Sequence, residues 1–209
     1  MKLIEALEWR YATKRMNGAK VPAATLDGIL EAIRLAPSSF GLTPYNVIVI
    51  EDEATRKQLQ PHFYNQPQIA ECSALVIFAN WISVTEKEVD SYMAEIAEQR
   101  GVPVDALGDF ANYIKGAING RSQEDLQTWA AKQTYIALGV GLVAAADVQV
   151  DATPMEGFNP AGVNEVLGLP AQGLNAAVAM TLGYRDASQD YMVNMKKVRR
   201  HASKLIIKK

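Results

Sequence analysis

Arg10 and Lys14 near the start of the chain, and Lys197 and Arg199 near its end, bracket three short polar or small-residue segments. These are Ala36-Pro37-Ser38-Ser39, Asn65-Gln66-Pro67-Gln68 and Pro154-Met155-Glu156-Gly157. Cations drawn from both ends suit one small anionic ligand, clamped where the chain closes on itself. Arginine contacts phosphate through a bidentate fork, and lysine serves as a point charge. Side-chain amides at Asn65 and Gln68 alternate donor and acceptor, as the edge of a uracil-like ring does. Gly157 allows backbone to approach a planar ligand closely. A backbone N–H beside it can donate to a reducible ring nitrogen, while Glu156 orders the site or a solvent proton. A phosphorylated flavin meets these requirements and would carry the redox chemistry, leaving the protein to position and tune it. Taken singly, each segment has an ordinary alternative. Arg10 to Arg15 reads equally well as a solvated charged turn, and Pro37-Ser38-Ser39 as plain turn chemistry. Residues 65–68 read as a polar loop, and residues 154–158 as a β-turn with a surface glutamate.

These segments need elements to hold them. Leu3, Ile4 and Leu7 share one face of a short amphipathic helix. Leu26, Ile29, Leu30 and Ile33 recur at helical spacing and predict a helix ending before Pro37. Val47 to Ile50 and Ala74 to Phe78 are compact apolar runs expected as buried strands, with a short helix over Asp52 to Leu59 between them. Leu174 to Leu182 predicts a third strand, and Val148 to Ala152 a weaker one. Residues 85–122 read as a polar helical excursion, with helices over Glu86 to Gln99 and Asp105 to Lys115 separated by Gly101-Val102-Pro103. Glu124 to Val148 predicts one long helix, apolar nearly all round after Gln133, which belongs in a domain core or a subunit interface. Strands separated by helices predict an α+β or α/β sandwich. No Gly-x-Gly-x-x-Gly follows a strand, so a Rossmann fold is disfavoured. The whole chain, 1–209, is expected to form a single domain.

Composition narrows the function classes. At 209 residues, 49% apolar, 21% charged and a net charge of −2, the chain is ordinary for a globular protein. It offers no electrostatic reason to expect nucleic acid or an anionic membrane. One cysteine, Cys72, excludes an internal disulfide and reads as a small buried hydrophobe. With only His62 and His201 beside it, no metal centre is expected. The N-terminus carries two acids within eight residues and lacks the apolar core of a signal peptide. Thr134 to Asp147 is too short for a bilayer, so cytoplasmic residence is the expectation.

In this order and spacing, the segments resemble the FMN-dependent nitroreductase family, particularly its oxygen-insensitive NAD(P)H nitroreductase and dihydropteridine reductase branch. The resemblance runs from Arg10 to Arg199. It rests on Arg10…Lys14, Ala-Pro-Ser-Ser with Thr43-Pro44-Tyr45, Trp129-Ala130-Ala131-Lys132-Gln133, Pro154-Met155-Glu156-Gly157 and Lys197-Val198-Arg199. It implies a nitroreductase-like three-layer α+β sandwich, with a mixed, mostly antiparallel central sheet flanked by helices. It further implies a homodimer with a swapped C-terminal arm over about 186–209, and non-covalent FMN at the subunit interface. The reaction implied is ping-pong hydride transfer from NAD(P)H to nitroaromatics, quinones or related conjugated acceptors. Arg10, Lys14, Lys197 and Arg199 would hold the phosphate and ribityl side. Tyr11, Ala12, Pro37, Ser38 and Ser39 would line the cofactor, with Asn65, Gln68 and Gln133 near the ring. Pro154, Met155, Glu156 and Gly157 would lie against it, a backbone N–H of Glu156 or Gly157 directed at N5. Phe110 and Tyr113 are candidate lids over the ring. The chain departs from the family at Ala12, where serine is frequent, at Thr43-Pro44-Tyr45, where Gln-Pro-Trp is common, and at Gln68, where some relatives carry lysine. Two rival readings stay open: a flavin-dependent reductase of one narrow substrate, such as a pteridine or enone, and a protein that only sequesters flavin.

Overall fold

The computed structural model describes residues 2–209. Its centre is a four-stranded sheet with strands β1 (Tyr45–Ile50), β2 (Ala74–Trp81), β3 (Asp151–Met155) and β4 (Leu174–Gly183) in the order β1-β2-β4-β3. All three pairings are antiparallel. The central strand β2 is apolar at nearly every position because both of its faces are covered. Ala74, Val76 and Phe78 face one layer of helices, and Leu75, Ile77 and Ala79 face the other. The expected three-layer α+β sandwich is therefore the observed architecture.

The first layer holds α2 (Ala23–Arg34) and the long helix α7 (Gln123–Asp147). Leu26, Ile29 and Ile33 of α2 pack with Ala137, Leu138 and Ala145 of α7 against the sheet. At Gly141 the two helices and the sheet come so close that a Cβ would stand 2.9 Å from Ile33 and 3.2 Å from Met180. On the other face lie α3 (Glu53–Leu59), α4 (Pro67–Glu71) and α8 (Pro160–Leu167), which bury Leu59, Ile69 and Val163. Helices α5 (Glu86–Arg100) and α6 (Gly108–Asn119) share a third cluster with Leu42 and with Leu126 of α7. Several of these starts are fixed by side-chain caps: Asp52 caps α3, Thr85 and Glu88 form a capping box on α5, and Ser122 caps α7.

Two sequence-based expectations are corrected. The weak strand placed at Val148 to Ala152 lies instead at Asp151–Met155. Val148 ends α7, Gln149 turns the chain with φ +57°, and pairing of Asp151 with Gly183 sets the register. Pro154 therefore sits within β3, tolerated because this is an edge strand that need not donate at that position. The helix expected from Asp105 is a 3₁₀ turn over Val104–Leu107, followed by α6. The first helix is found where expected, as α1 (Leu3–Trp9); it buries Ala6 and leaves Leu3 and Ile4 56% and 64% exposed.

The ends of the chain are latched to the sheet by one buried network. Asp151, 2% exposed, receives Arg185 Nη2 at 2.6 Å, the Arg185 backbone N–H at 2.8 Å and the Thr13 hydroxyl at 3.2 Å. The Arg185 guanidinium lies between the Trp9 and Tyr11 rings, 4.4 and 4.6 Å from their centroids. The Thr153 hydroxyl donates to Thr13 O at 2.8 Å. Nearby, Asp190 accepts from the Tyr11 hydroxyl at 3.0 Å, the Lys14 N–H at 3.0 Å and the Met192 N–H at 2.9 Å.

Two outcomes are expected of this latch. Asp151→Ala strands a guanidinium beside buried backbone and should cost about 3 kcal/mol in urea unfolding; a loss below about 1 kcal/mol would show the pair to be peripheral. Burial alone would raise the Asp190 carboxyl, but the Met192 and Lys14 N–H groups and the Tyr11 hydroxyl outweigh it and hold it below its ordinary value. A lowered folded pKa stabilises above the unfolded value of about 4, and the gain is lost as pH falls through the folded value. Asp190→Asn should thus be less stable than the wild type at neutral pH, with the gap closing below about pH 4, as read from Tm against pH.

Candidate functional site

Helix α1 stops at Trp9 because Arg10 turns to extended backbone, which leaves residues 10–15 as a loop rather than a helical turn. That loop forms one wall of a cleft of about 670 Å³. Arg10, Tyr11 and Ala12 line it from the N-terminal side, Pro154 from β3, and Lys197, Val198 and Arg199 from the C-terminal segment. Lys197 is pinned there by donating its Nζ to the carbonyls of Leu7 and Arg10. Arg10 donates Nη2 to Ala152 O at 3.3 Å, and its buried Nε has no partner.

The electrostatics of the cleft are those of gathered like charges. Burial, then the charge of Arg199, pull the Arg10 guanidinium below its ordinary value, with Asp151 opposing. Burial, then Arg10 and Arg199, lower the Lys197 ammonium, with Glu8 opposing. None of the three cations forms an ion pair among the described residues. Arg10 and Lys197 are held with their charge only partly compensated, and a dianion placed beside them would offset both the cost of desolvation and the repulsion. Lys14 does not line this cleft; its backbone N–H is given to Asp190.

A second group of site residues is joined to the first through β3. Beyond Pro154, Met155 is buried, while Glu156 and Gly157 are exposed at the strand's end. The Gly157 carbonyl accepts from Gln66 Nε2 at 3.0 Å, and Gln66 Oε1 accepts from the buried Gln68 at 3.1 Å. Packing sets this meeting. Phe63 stacks on Phe158 at 5.0 Å, the Asn159 N–H donates to His62 O, and the His62 ring lies where a Cβ on Gly162 would be, 2.0 Å away. Tyr64 and Asn65, which lead into this segment, both hold left-handed backbone, φ +54° and +56°. For a tyrosine this is strained, and such strain concentrates where a loop must take one shape. Asn65 itself is exposed, and Gln66 rather than Asn65 makes the bond to Gly157.

Glu156 has a partner that the sequence did not disclose. The Tyr135 hydroxyl, from α7, donates to Glu156 Oε1. Burial, then the hydrogen bond to Glu156, push this phenol up to about 12. Tyr135 is 41% exposed, so water can serve its hydroxyl and no sequence signal marked this pairing. Two residues earlier on α7, Gln133 accepts the Ser39 N–H at 2.9 Å and donates to Trp129 O at 2.9 Å. Ser38 receives the Thr43 N–H at 2.8 Å, and both Phe40 and Thr43 have positive φ. Pro37, Ser38 and Ser39 thus belong to a loop fixed to α7, away from the cations: none of the three lines their cleft. Tyr113 packs edge-on against Phe40 at 5.9 Å and is 67% exposed, with Phe110 one turn before it on α6. Cys72 is buried, its thiol raised to about 12 by burial, in keeping with a structural role. No cluster able to hold a metal and no helix long and apolar enough to cross a membrane is found among the described residues.

Comparisons with known proteins bear on the family and the fold. The nitroreductase family model matches residues 7–184. The chain is 32% identical over 205 residues to the major NAD(P)H-flavin oxidoreductase of Aliivibrio fischeri, covering 95% of this chain and 94% of that protein. A Bacillus subtilis protein described as a nitroreductase shares the fold with a TM-score of 0.88 at 14% identity, over 100% of this chain and 99% of that one. So does a protein of Exiguobacterium sibiricum described as a nitroreductase in complex with FMN, with a TM-score of 0.84 at 19% identity, over 100% and 98% of the two chains. Matched along most of its sequence and throughout its fold, the chain belongs to the nitroreductase family.

Proposed function

We propose that the chain is an NAD(P)H-dependent oxidoreductase that binds FMN non-covalently and reduces nitroaromatics, quinones or related conjugated acceptors by a ping-pong cycle. The observation that carries this reading is the cleft in which Arg10, Lys197 and Arg199 are gathered with no ion pair among the described residues and Glu8 as the one acid in the lining, opening beside Pro154 near the end of β3. An orphaned, buried Arg10 Nε, the undercompensated charges of Arg10 and Lys197, and Arg199 beside them fit a phosphate group. The names of the Aliivibrio relative and of the Exiguobacterium neighbour support a flavin in particular. When bound, FMN supplies the ring that accepts a hydride from NAD(P)H and returns it to an acceptor.

The chain's own residues then bind and orient. Arg10, Lys197 and Arg199 hold the phosphate, and Lys14, which lies outside their cleft, takes no part in that contact. Tyr11, Ala12 and Pro154 line the path from phosphate to ring. Gln66 fixes the Gly157 carbonyl, which leaves the Glu156 and Gly157 N–H groups to face the reducible edge. Gln68 and Asn65 meet the pyrimidine side. Glu156, steadied by Tyr135, holds a proton source at the mouth of the site. Pro37, Ser38, Ser39 and Gln133 complete the site from a second copy of the chain. That copy would also cover the exposed Leu3, Ile4 and Ile136 and receive the arm over about 186–209, whose Leu205, Ile206 and Ile207 are exposed. Phe110 and Tyr113 on α6 would shield the acceptor. Cytoplasmic residence and a single domain of 1–209 complete this reading.

The double variant Arg10→Ala with Lys197→Ala should weaken FMN binding at least about a hundredfold, from the loss of two charge-assisted contacts. Full flavin absorbance after desalting would refute the phosphate assignment. Tyr135→Phe should keep its flavin yet lower kcat several-fold with little change in KM for the reductant, because it acts through Glu156. In a 295 nm titration the same variant should lack one phenol that ionises near pH 12. A raised folded pKa means that the Tyr135–Glu156 bond stabilises fully below about pH 10 and is lost as pH rises through the folded value.

A further inference from the structure

One cavity belongs to neither group of residues above. It measures about 300 Å³ and opens where the α6–α7 connection meets the first turns of α7, lined by Arg121, Asp125, Thr128, Trp129 and Lys132. Arg121 and Lys132 are exposed cations with no ion pair among the described residues. The Arg121 guanidinium is held over the Trp129 ring at 5.7 Å, which fixes one cation at the mouth of the cavity. Asp125, the one acid present, is engaged by the Ser122 hydroxyl at 2.7 Å, leaving its other oxygen free to accept from a sugar hydroxyl.

The position of the cavity relates it to the redox site. Trp129 gives its carbonyl to Gln133, which holds Ser39. Its ring packs on Phe40 at 6.1 Å, and Phe40 in turn carries Tyr113. Lys132 and Tyr135 lie three residues apart on one exposed face of α7, and Tyr135 is the partner of Glu156. From Trp129 to Tyr135 the helix rises about 9 Å, a span that an extended dinucleotide can cover with its nicotinamide at the Glu156 end.

Resting on the function proposed above, we infer that Arg121, Thr128, Trp129 and Lys132 bind the phosphorylated adenosine end of the nicotinamide nucleotide reductant. Arg121 and Lys132 take a phosphate, Thr128 donates a hydroxyl to it, and Asp125 accepts from a ribose hydroxyl. The phosphate has two possible sources, the 2′-phosphate found only in NADPH and the pyrophosphate common to both reductants.

The test is calorimetric titration of the purified holoenzyme with adenosine 2′,5′-bisphosphate and with ADP, for the wild type, Arg121→Ala, Lys132→Ala and Lys132→Glu. These substitutions are on the surface, and unchanged flavin absorbance and Tm would show that the fold is retained. Each alanine variant should weaken the bisphosphate about tenfold, and Lys132→Glu more. Weakening of the bisphosphate alone, with kcat/KM falling for NADPH and not for NADH, assigns the 2′-phosphate. Weakening of both ligands, with both reductants affected, assigns the pyrophosphate. Variants that bind both ligands like the wild type, or a wild type that binds neither, overturn the inference. A wild-type holoenzyme whose flavin is bleached by neither reductant would instead refute the proposed function, and the titrations read the cavity independently of that result.

Discussion

The Asp151–Arg185 pair is the interaction on which the rest of the structure depends. Asp151 opens β3 and Arg185 follows β4, so the pair closes the end of an antiparallel ladder that already aligns them. It then reaches beyond the sheet. Thr13 bonds to the same carboxylate, and Trp9 and Tyr11 enclose the guanidinium. The N-terminal loop is thereby fixed against the sheet with Arg10 facing the cleft. A buried ion pair is a poor source of net stability, because desolvation offsets most of its attraction, but it fixes geometry because the alternative is an unpaired buried charge. Here the geometry matters for a second reason. Arg10, Lys197 and Arg199 repel one another, and this latch, together with the bonds of Lys197 to the Leu7 and Arg10 carbonyls, keeps their segments together.

The other half of the site is assembled by shape. Gln66 reaches Gly157 because Phe63 stacks on Phe158 and because His62 enters the space left by Gly162. The left-handed backbone at Tyr64 and Asn65 is tolerated because these contacts and the start of α4 over-determine the loop. A similar arrangement occurs across the molecule at Phe40 and Thr43, where Gln133, Ser38 and the aromatic rings of Trp129 and Tyr113 hold the segment. Helix α7 links the two regions. It buries one side in the core, and from its outer face sends Tyr135 to Glu156 while Gln133 is held to Ser39.

Much of this was legible in the sequence. Local patterning predicted the core strands and the principal helices, because apolar periodicity reports directly which face of an element is buried. The cations at both chain ends and the Pro-Met-Glu-Gly segment marked candidate site residues by type alone. The sequence was less informative where position depends on pairing. The edge strand shifted to Asp151–Met155 because its register comes from β4, and its own residues include a proline that argues against a strand. The apolar face of α1 was visible, but its outward direction was not, since periodicity says that a helix has two faces and not which one meets the chain.

The sequence by itself determined the layered fold and the chemical types available at the site: cations, amides, a glycine and a carboxylate at spacings that suit an anionic, flat ligand. Tertiary structure alone decided which of these meet. It joined Arg10 with Lys197 and Arg199 but left Lys14 aside, gave Gln66 rather than Asn65 the bond to Gly157, and supplied Tyr135 to Glu156. The physical reason is that residue type and short-range periodicity are local properties, whereas a site is a set of contacts between segments as much as 190 residues apart. Those contacts are set by the packing of the sheet and its two helical layers, and by the few buried polar groups that must find partners within it.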